Sequence, residues 1–141
     1  MNKLYSLGFL LNRASFSLAK ALNSEFKRHN IDLPHSQFIV LRCLYYKDAL
    51  SQHDLATLLC KDAAAIKRTI DNLETKGLVT RKQVSQRQNS VLITEKGKLL
   101  IPYAIEHGES IIKKVLGPAT NMETEALYKL LDKIYNNAEK I

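Results

Sequence analysis

Between Ser51 and Gly97 the chain reads SQHDLATLLCKDAAAIKRTIDNLETKGLVTRKQVSQRQNSVLITEKG, and this stretch limits the fold most tightly. Two short amphipathic patterns open it. Leu55, Leu58 and Leu59 share one face beside the small Ala56, and Ile66, Ile70 and Leu73 then recur at i, i+4 and i+7, a helical period. Ser51 is placed to cap the first helix, with Asp54 positioned to reach back. Asp62 precedes the second, where a short carboxylate satisfies orphan N–H groups and complements the positive end of the helix dipole. Gly77 is suited to end that helix in the C′ position, supported by Lys76 in the last turn. Leu78–Lys82 and Ser90–Thr94 read as strands, joined by the polar run Gln83–Asn89. Helix, tight turn, helix and hairpin make a winged helix-turn-helix, mostly α with a small β wing (α+β).

Long apolar-striped segments flank this module. Residues 4–28 carry Leu4, Leu7, Leu11, Leu18, Leu22 and Phe26 along one stripe, with Gly8, Ala14 and Ser15 filling in. A loop containing Asn30 follows, and Pro34 is tolerated in the first turn of a helix whose apolar face is Phe38, Val40, Leu41 and Leu44. Lys47–Leu50 reads as a plain link into Ser51. Beyond the wing, Thr94 caps a helical run from Glu95 through Leu116; Pro102 predicts either a kink or a later start. Gly117–Pro118 stops it, and Thr120 or Asn121 caps a last helix carrying Met122, Leu127, Leu130, Leu131, Ile134 and Tyr135. A small winged module does not need this much apolar helix to close its own core. Such arms suit a second copy of the chain, and a two-fold dimer is the commonest arrangement. The expected organisation is therefore one domain over 1–141. Its dimerisation helices lie in 1–30 and 98–141, the winged module in 34–97, the helix-turn-helix in 51–76 and the wing in 78–94.

Charge points to an anionic partner. The chain of 141 residues has a formal net charge of +7, and residues 61–98, with nine basic and four acidic side chains, supply five of those units. No apolar run is long enough to span a membrane, and Asn12 and Arg13 interrupt the apolar N-terminal stretch that might otherwise pass for a leader. Two cysteines, Cys43 and Cys60, suit a reducing cytoplasm. No nucleophile–base pair, metal-ligand cluster or phosphate-binding glycine loop is present, so neither an enzyme nor a cofactor is expected.

In element order and in residues the chain resembles the MarR family of bacterial transcriptional regulators, over essentially its whole length. The most specific part is LATLLCKDAAAIKRTIDNLETKGLVTRK followed at wing distance by VLITEKGK. The resemblance implies a homodimer binding double-stranded DNA at a pseudo-palindromic operator, commonly as a repressor that answers to a ligand or a stress. It makes Ser51–Cys60 the supporting helix, Asp62–Lys76 the recognition helix and Leu78–Thr94 the wing. A recognition helix enters the major groove by its N-terminal end, so Lys61, Ala63, Ala64, Ala65, Lys67, Arg68 and Thr69 are expected to face DNA. Arg81, Lys82, Ser85, Gln86, Arg87, Gln88 and Asn89 are the wing candidates, with Arg87 expected to enter a narrow minor groove.

Three departures stand out. Alanine occupies three successive positions at the start of the recognition helix, where it can touch a thymine methyl but makes no side-chain hydrogen bond. The family's Asp-x-Arg wing motif is here Ser85-Gln86-Arg87, so the arginine lacks its carboxylate partner. Cys60 sits at a turn position where glycine is frequent. The alanine run motivates an alternative, an architectural or interaction protein that kept the fold and lost operator specificity. Cys60 is also the candidate for redox chemistry, although the peroxide-sensing members carry their thiol near the start of the first helix, where this chain has none. Zinc-sensing members draw His and Glu from the regions of Glu25, His29, His35, Glu106 and His107, but without a close His pair these read as solvated or hydrogen-bonded and no metal is expected. Tyr5, Phe9, Phe16, Phe38, Tyr45, Tyr46 and Tyr103 are the rings available to a cleft for a small-molecule effector.

Overall fold

Capping residues set most element boundaries in the computed structural model, which describes residues 3–86 and 88–141. Helix α1 spans Leu7–Arg28 and starts three residues later than its apolar stripe, because the Ser6 hydroxyl accepts from the Phe9 N–H and fixes the N-cap there. Helix α2 is His35–Tyr46. Pro34 stands at its N-cap rather than inside its first turn and has no capping side chain. Asn23 of α1 substitutes, its Oδ1 accepting from the His35 N–H at 2.8 Å. Strand β1 is only Leu50–Ser51, followed by α3, Gln52–Leu59, and α4, Ala63–Thr75. Strands β2, Val79–Ser85, and β3, Gln88–Ile93, form the hairpin. Helix α5, Glu95–Leu116, and α6, Asn121–Glu139, complete the chain.

All three strands differ from the sequence expectation. The supposed link Lys47–Leu50 ends in a strand, since Leu50 and Ser51 pair antiparallel with Val91 and Ser90, giving the sheet order β1-β3-β2. Two residues are too few to show a period. The Asp48 carboxylate extends this edge by accepting from the Ile93 N–H at 3.0 Å. The strands β2 and β3 also run well into Gln83–Asn89, in register from Val79↔Ile93 to Ser85↔Gln88, with an irregularity between Gln83 and Ser85. The outer hairpin is exposed on both sides, so the apolar alternation that marks a strand is missing there while the ladder of backbone bonds continues.

The chain divides into two compact units, one ending at Ile111 and one comprising Ile112–Ile141. In the first, Phe26, Leu41, Leu44, Leu55, Ile70, Leu73, Val91 and Ile101 form one buried cluster drawn from α1, α2, α3, α4, the sheet and α5. It holds α4 rigidly, and truncating Leu73 to alanine is expected to cost about 2–5 kcal/mol. Helix α5 runs unbroken through Pro102 and begins at Glu95, with Thr94 Oγ1 accepting from the Gly97 N–H; the later start is thereby excluded. Gly97 is required, because a Cβ there would lie 2.5 Å from the Leu78 carbonyl oxygen and 2.7 Å from Ile93 Cγ1. In the second unit, α6 is capped by the reciprocal Thr120–Glu123 box and buries none of its residues.

Candidate nucleic-acid interface

Helix α4 is framed by caps at both ends. Ser51 and Asp54 form the reciprocal capping box that starts α3, at 2.9 and 3.2 Å. The α3–α4 turn is closed by Cys60 in the left-handed conformation, φ 54°, where a side chain is strained. Asp62 Oδ1 then accepts from the Ala65 N–H at 2.7 Å. At the other end Gly77 adopts φ 75°, and the N–H groups of Gly77 and Leu78 donate to the carbonyls of Glu74 and Leu73, a Schellman closure. The lysine that donates to the terminal carbonyl is Lys96, which bonds the Lys76 oxygen at 2.8 Å. Lys76 itself is drawn away to the Asp32 carbonyl and to Gln37 Oε1.

Burying Ile66, Ile70 and Leu73 turns the opposite side of α4 outward. Ala63, Ala64, Lys67 and Arg68 are exposed there, Ala65 and Thr69 are half-buried, and Lys61 is exposed just before the helix. Arg68 makes no ion pair or side-chain hydrogen bond among the described residues. Lys67 Nζ lies 3.1 Å from Asp71 Oδ2, and Thr69 Oγ1 donates back to the Ala65 carbonyl, leaving its acceptor side open. On the wing, Lys82, Ser85, Gln86 and Asn89 are exposed, and Gln88 opens β3. Arg87 lies outside the described residues.

Arg81 departs from its expected role. Its side chain is only 17% exposed, with Nη2 at 2.6 Å from Asp71 Oδ1, Nη1 at 2.8 Å from Glu74 Oε1, and Nε donating to Gln52 Oε1 at 3.0 Å. The guanidinium fork ties β2 to α4 and to the start of α3, so Arg81 positions the wing. Asp71 accepts from Arg81 and from Lys67, and those hydrogen bonds hold its carboxyl below the ordinary aspartate range despite some desolvation. Asp71, Glu74 and Gln52 form a clamp that the sequence did not single out. Their spacing on two helices carries a signal only once the hairpin is known to return across them.

An exposed, capped helix start beside a basic hairpin is an arrangement for docking an anionic groove. The MarR family model matches residues 33–86. An HTH-type transcriptional regulator of Bacillus subtilis, YybA, is 30% identical over 129 residues, covering 87% of this chain and 85% of its own. The chain belongs to the MarR family. A MarR family regulator from Listeria monocytogenes, solved in complex with 26mer DNA, superposes with a TM-score of 0.85 at 29% identity over 94% of this chain and 88% of that one. The organic hydroperoxide resistance regulator of B. subtilis is 29% identical, covering 92% and 89%. As a MarR protein the chain is a DNA-binding transcriptional regulator rather than an enzyme.

Other candidates are scattered in this MarR chain. Cys43 is half-buried on α2, and burial pushes its thiol up more than nearby Arg42 lowers it; Cys60 is exposed. Of the seven rings, Phe38 is core, Tyr5 is half-buried and the other five are exposed. An open cleft of about 410 Å³ along α1 takes only Phe16 from that set, together with Lys20, Asn23 and Lys27. Of the five His and Glu residues read as solvated or hydrogen-bonded, Glu25, His29 and His107 come together while His35 and Glu106 stay outside the group. No helix among the described residues is long and apolar enough to cross a membrane.

Proposed function

We propose that two copies of this chain join through their terminal helices and read a pseudo-palindromic operator in the cytoplasm, acting as a repressor that a small molecule or a stress releases. The observation carrying this reading is the exposed apolar surface of the arms. On α1 only Leu22, Glu25 and Phe26 are buried, while Leu7 and Phe9 are exposed and Phe16 is 72% exposed. On α6 Met122, Leu127, Tyr128, Leu130 and Leu131 are all exposed. Apolar stripes on two helices are more than scattered surface hydrophobics, and they suit a self-complementary interface.

Within such a dimer the two α4 helices would enter successive major grooves about 34 Å apart on one face of the duplex. Lys61, Lys67 and Arg68 would meet phosphate or guanine edges, Ala63, Ala64 and Ala65 would meet thymine methyls, and Thr69 would accept from a base or bridging water. Lys82, Ser85, Gln86, Gln88 and Asn89 would follow the backbone beside the minor groove, with Arg87 inside it. The DNA-bound relative at 29% identity supports this docking. The Phe16–Lys20–Lys27 cleft has the chemistry for an aromatic anion, whose occupancy would change the spacing of the reading heads.

Gel-shift binding to the DNA upstream of the protein's own gene, with unrelated duplex as competitor and salt varied, tests the reading. A regulator prefers its site by about 10³-fold or more. Equal affinity for all duplexes with a steep salt slope would instead favour the architectural reading that the alanine face motivates.

A further inference from the structure

We propose that Lys76 is a positioning residue for DNA binding, fastening the last turn of α4 to the loop between α1 and α2 and so setting the angle at which α4 meets a duplex. Its ammonium lies 2.9 Å from the Asp32 carbonyl oxygen, 2.7 Å from Gln37 Oε1 and 3.2 Å from Asp32 Oδ1, three acceptors for its three N–H groups. Gln37 is buried in the first turn of α2, where an acceptor stripped of its donor would be destabilising. The Lys76 side chain is 24% exposed, against 65% for Lys67 on the outer side of α4, so its charge is engaged within the chain.

The loop that receives Lys76 is itself fixed to the first arm. Asn30 adopts φ 57°, and the N–H groups of Asn30 and Ile31 donate to the Lys27 and Phe26 carbonyls of α1. Ile31 and Leu33 are buried on either side of Asp32. The start of α5 holds the same turn of α4 from another side. Lys96 Nζ donates to the Lys76 carbonyl at 2.8 Å, and Thr94 Oγ1 donates to the Gly77 carbonyl at 2.7 Å. Burial of Ile66, Ile70 and Leu73 keeps α4 against the core, but apolar attraction is non-directional. The directional bonds at Lys76 are what relate its axis to α1. The leverage is large, because Ala63 stands about 20 Å along the helix from Lys76, and a tilt of about 5° there displaces it by about 1.7 Å. A shift of that size exceeds the tolerance of a hydrogen bond to a base edge.

This inference rests on α4 being the helix that reads DNA, and the test keeps the two apart. It compares the native full chain with Lys76→Met and with the double variant Lys76→Met, Gln37→Met, which removes both partners and leaves no buried amide oxygen unpaired. Residual dipolar couplings of the α1 and α4 amides measure the angle between the helices. Fluorescence anisotropy measures affinity for the best-bound duplex from upstream of the protein's own gene and for a random duplex. The expected result is a changed angle together with a preference for the chosen duplex that falls about tenfold, while random-duplex affinity and salt slope stay as in the native chain. An unchanged angle or an unchanged preference overturns the proposal. Equal loss on both duplexes, with a salt slope lower by about one, also overturns it and makes Lys76 a phosphate contact. If Lys76→Met fails to fold, the double variant supplies the same readings. If the native chain prefers no duplex, the operator reading fails by itself, and the angle alone decides for Lys76.

Discussion

Arg81 Nη2 and Asp71 Oδ1 lie 2.6 Å apart, joining β2 to α4. Glu74 and Gln52 complete the fork. Without the guanidinium, Asp71 and Glu74 would remain as like charges beside the proposed DNA path. Arg81→Ala is expected to weaken DNA binding about tenfold, the scale of one lost charge-assisted contact, on every sequence. Arg81→Lys should recover only part of it, since a point charge cannot replace the fork. Fluorescence anisotropy on operator and random duplexes checks this; full affinity in Arg81→Ala would remove Arg81 from the account.

Arg68 differs, standing exposed on α4 with no side-chain partner among the described residues. If it reads a guanine, Arg68→Ala should cost about 1–3 kcal/mol at the operator and relax preference at one base pair. If it only meets phosphate, the loss should be uniform and the salt slope should fall by about one. Anisotropy across a set of singly substituted operators at several salt concentrations separates the two.

Cys60 holds φ 54° in the α3–α4 turn, a conformation costing a residue with a Cβ about 1–2 kcal/mol. Cys60→Gly is expected to raise stability by about 1 kcal/mol, or about 3 °C in Tm, after allowing for the looser unfolded chain. Thermal unfolding followed by circular dichroism measures it. The same residue should be alkylated before Cys43, whose thiol burial pushes up.

Acid should loosen the wing clamp. Because the Asp71 carboxyl sits below its ordinary value of 3.8 in the folded chain, its contribution is fully present above that value and is lost as pH falls through the lower folded value. Urea midpoints measured from pH 5 to pH 3 should fall for the native chain. They should fall less steeply for Asp71→Asn, which has no such proton to take up.

Much of this architecture can be read from residues because its boundaries are set by local chemistry. Ser51 with Asp54, Asp62, Gly77, Thr94 and Thr120 mark helix ends through short-range caps, and each behaves as its type and position imply. What escapes is non-local. Strand β1 exists only because Val91 and Ser90 lie beside it, and the outer wing keeps its ladder without an apolar face. Arg81 and Lys82 are adjacent basic residues in sequence, yet the alternation of a strand turns one into the clamp and leaves the other exposed. Likewise Glu25 and His107 meet across two helices 82 positions apart, a spacing in which no pairing is visible.

The arms decide whether there are two reading heads or one. Sedimentation equilibrium of the untagged chain at micromolar concentration should give twice the 16.0 kDa chain mass. Replacing Leu127 and Leu131 by charged residues should shift it toward the single chain and abolish operator preference. A native particle of 16.0 kDa that still binds its operator would contradict the account.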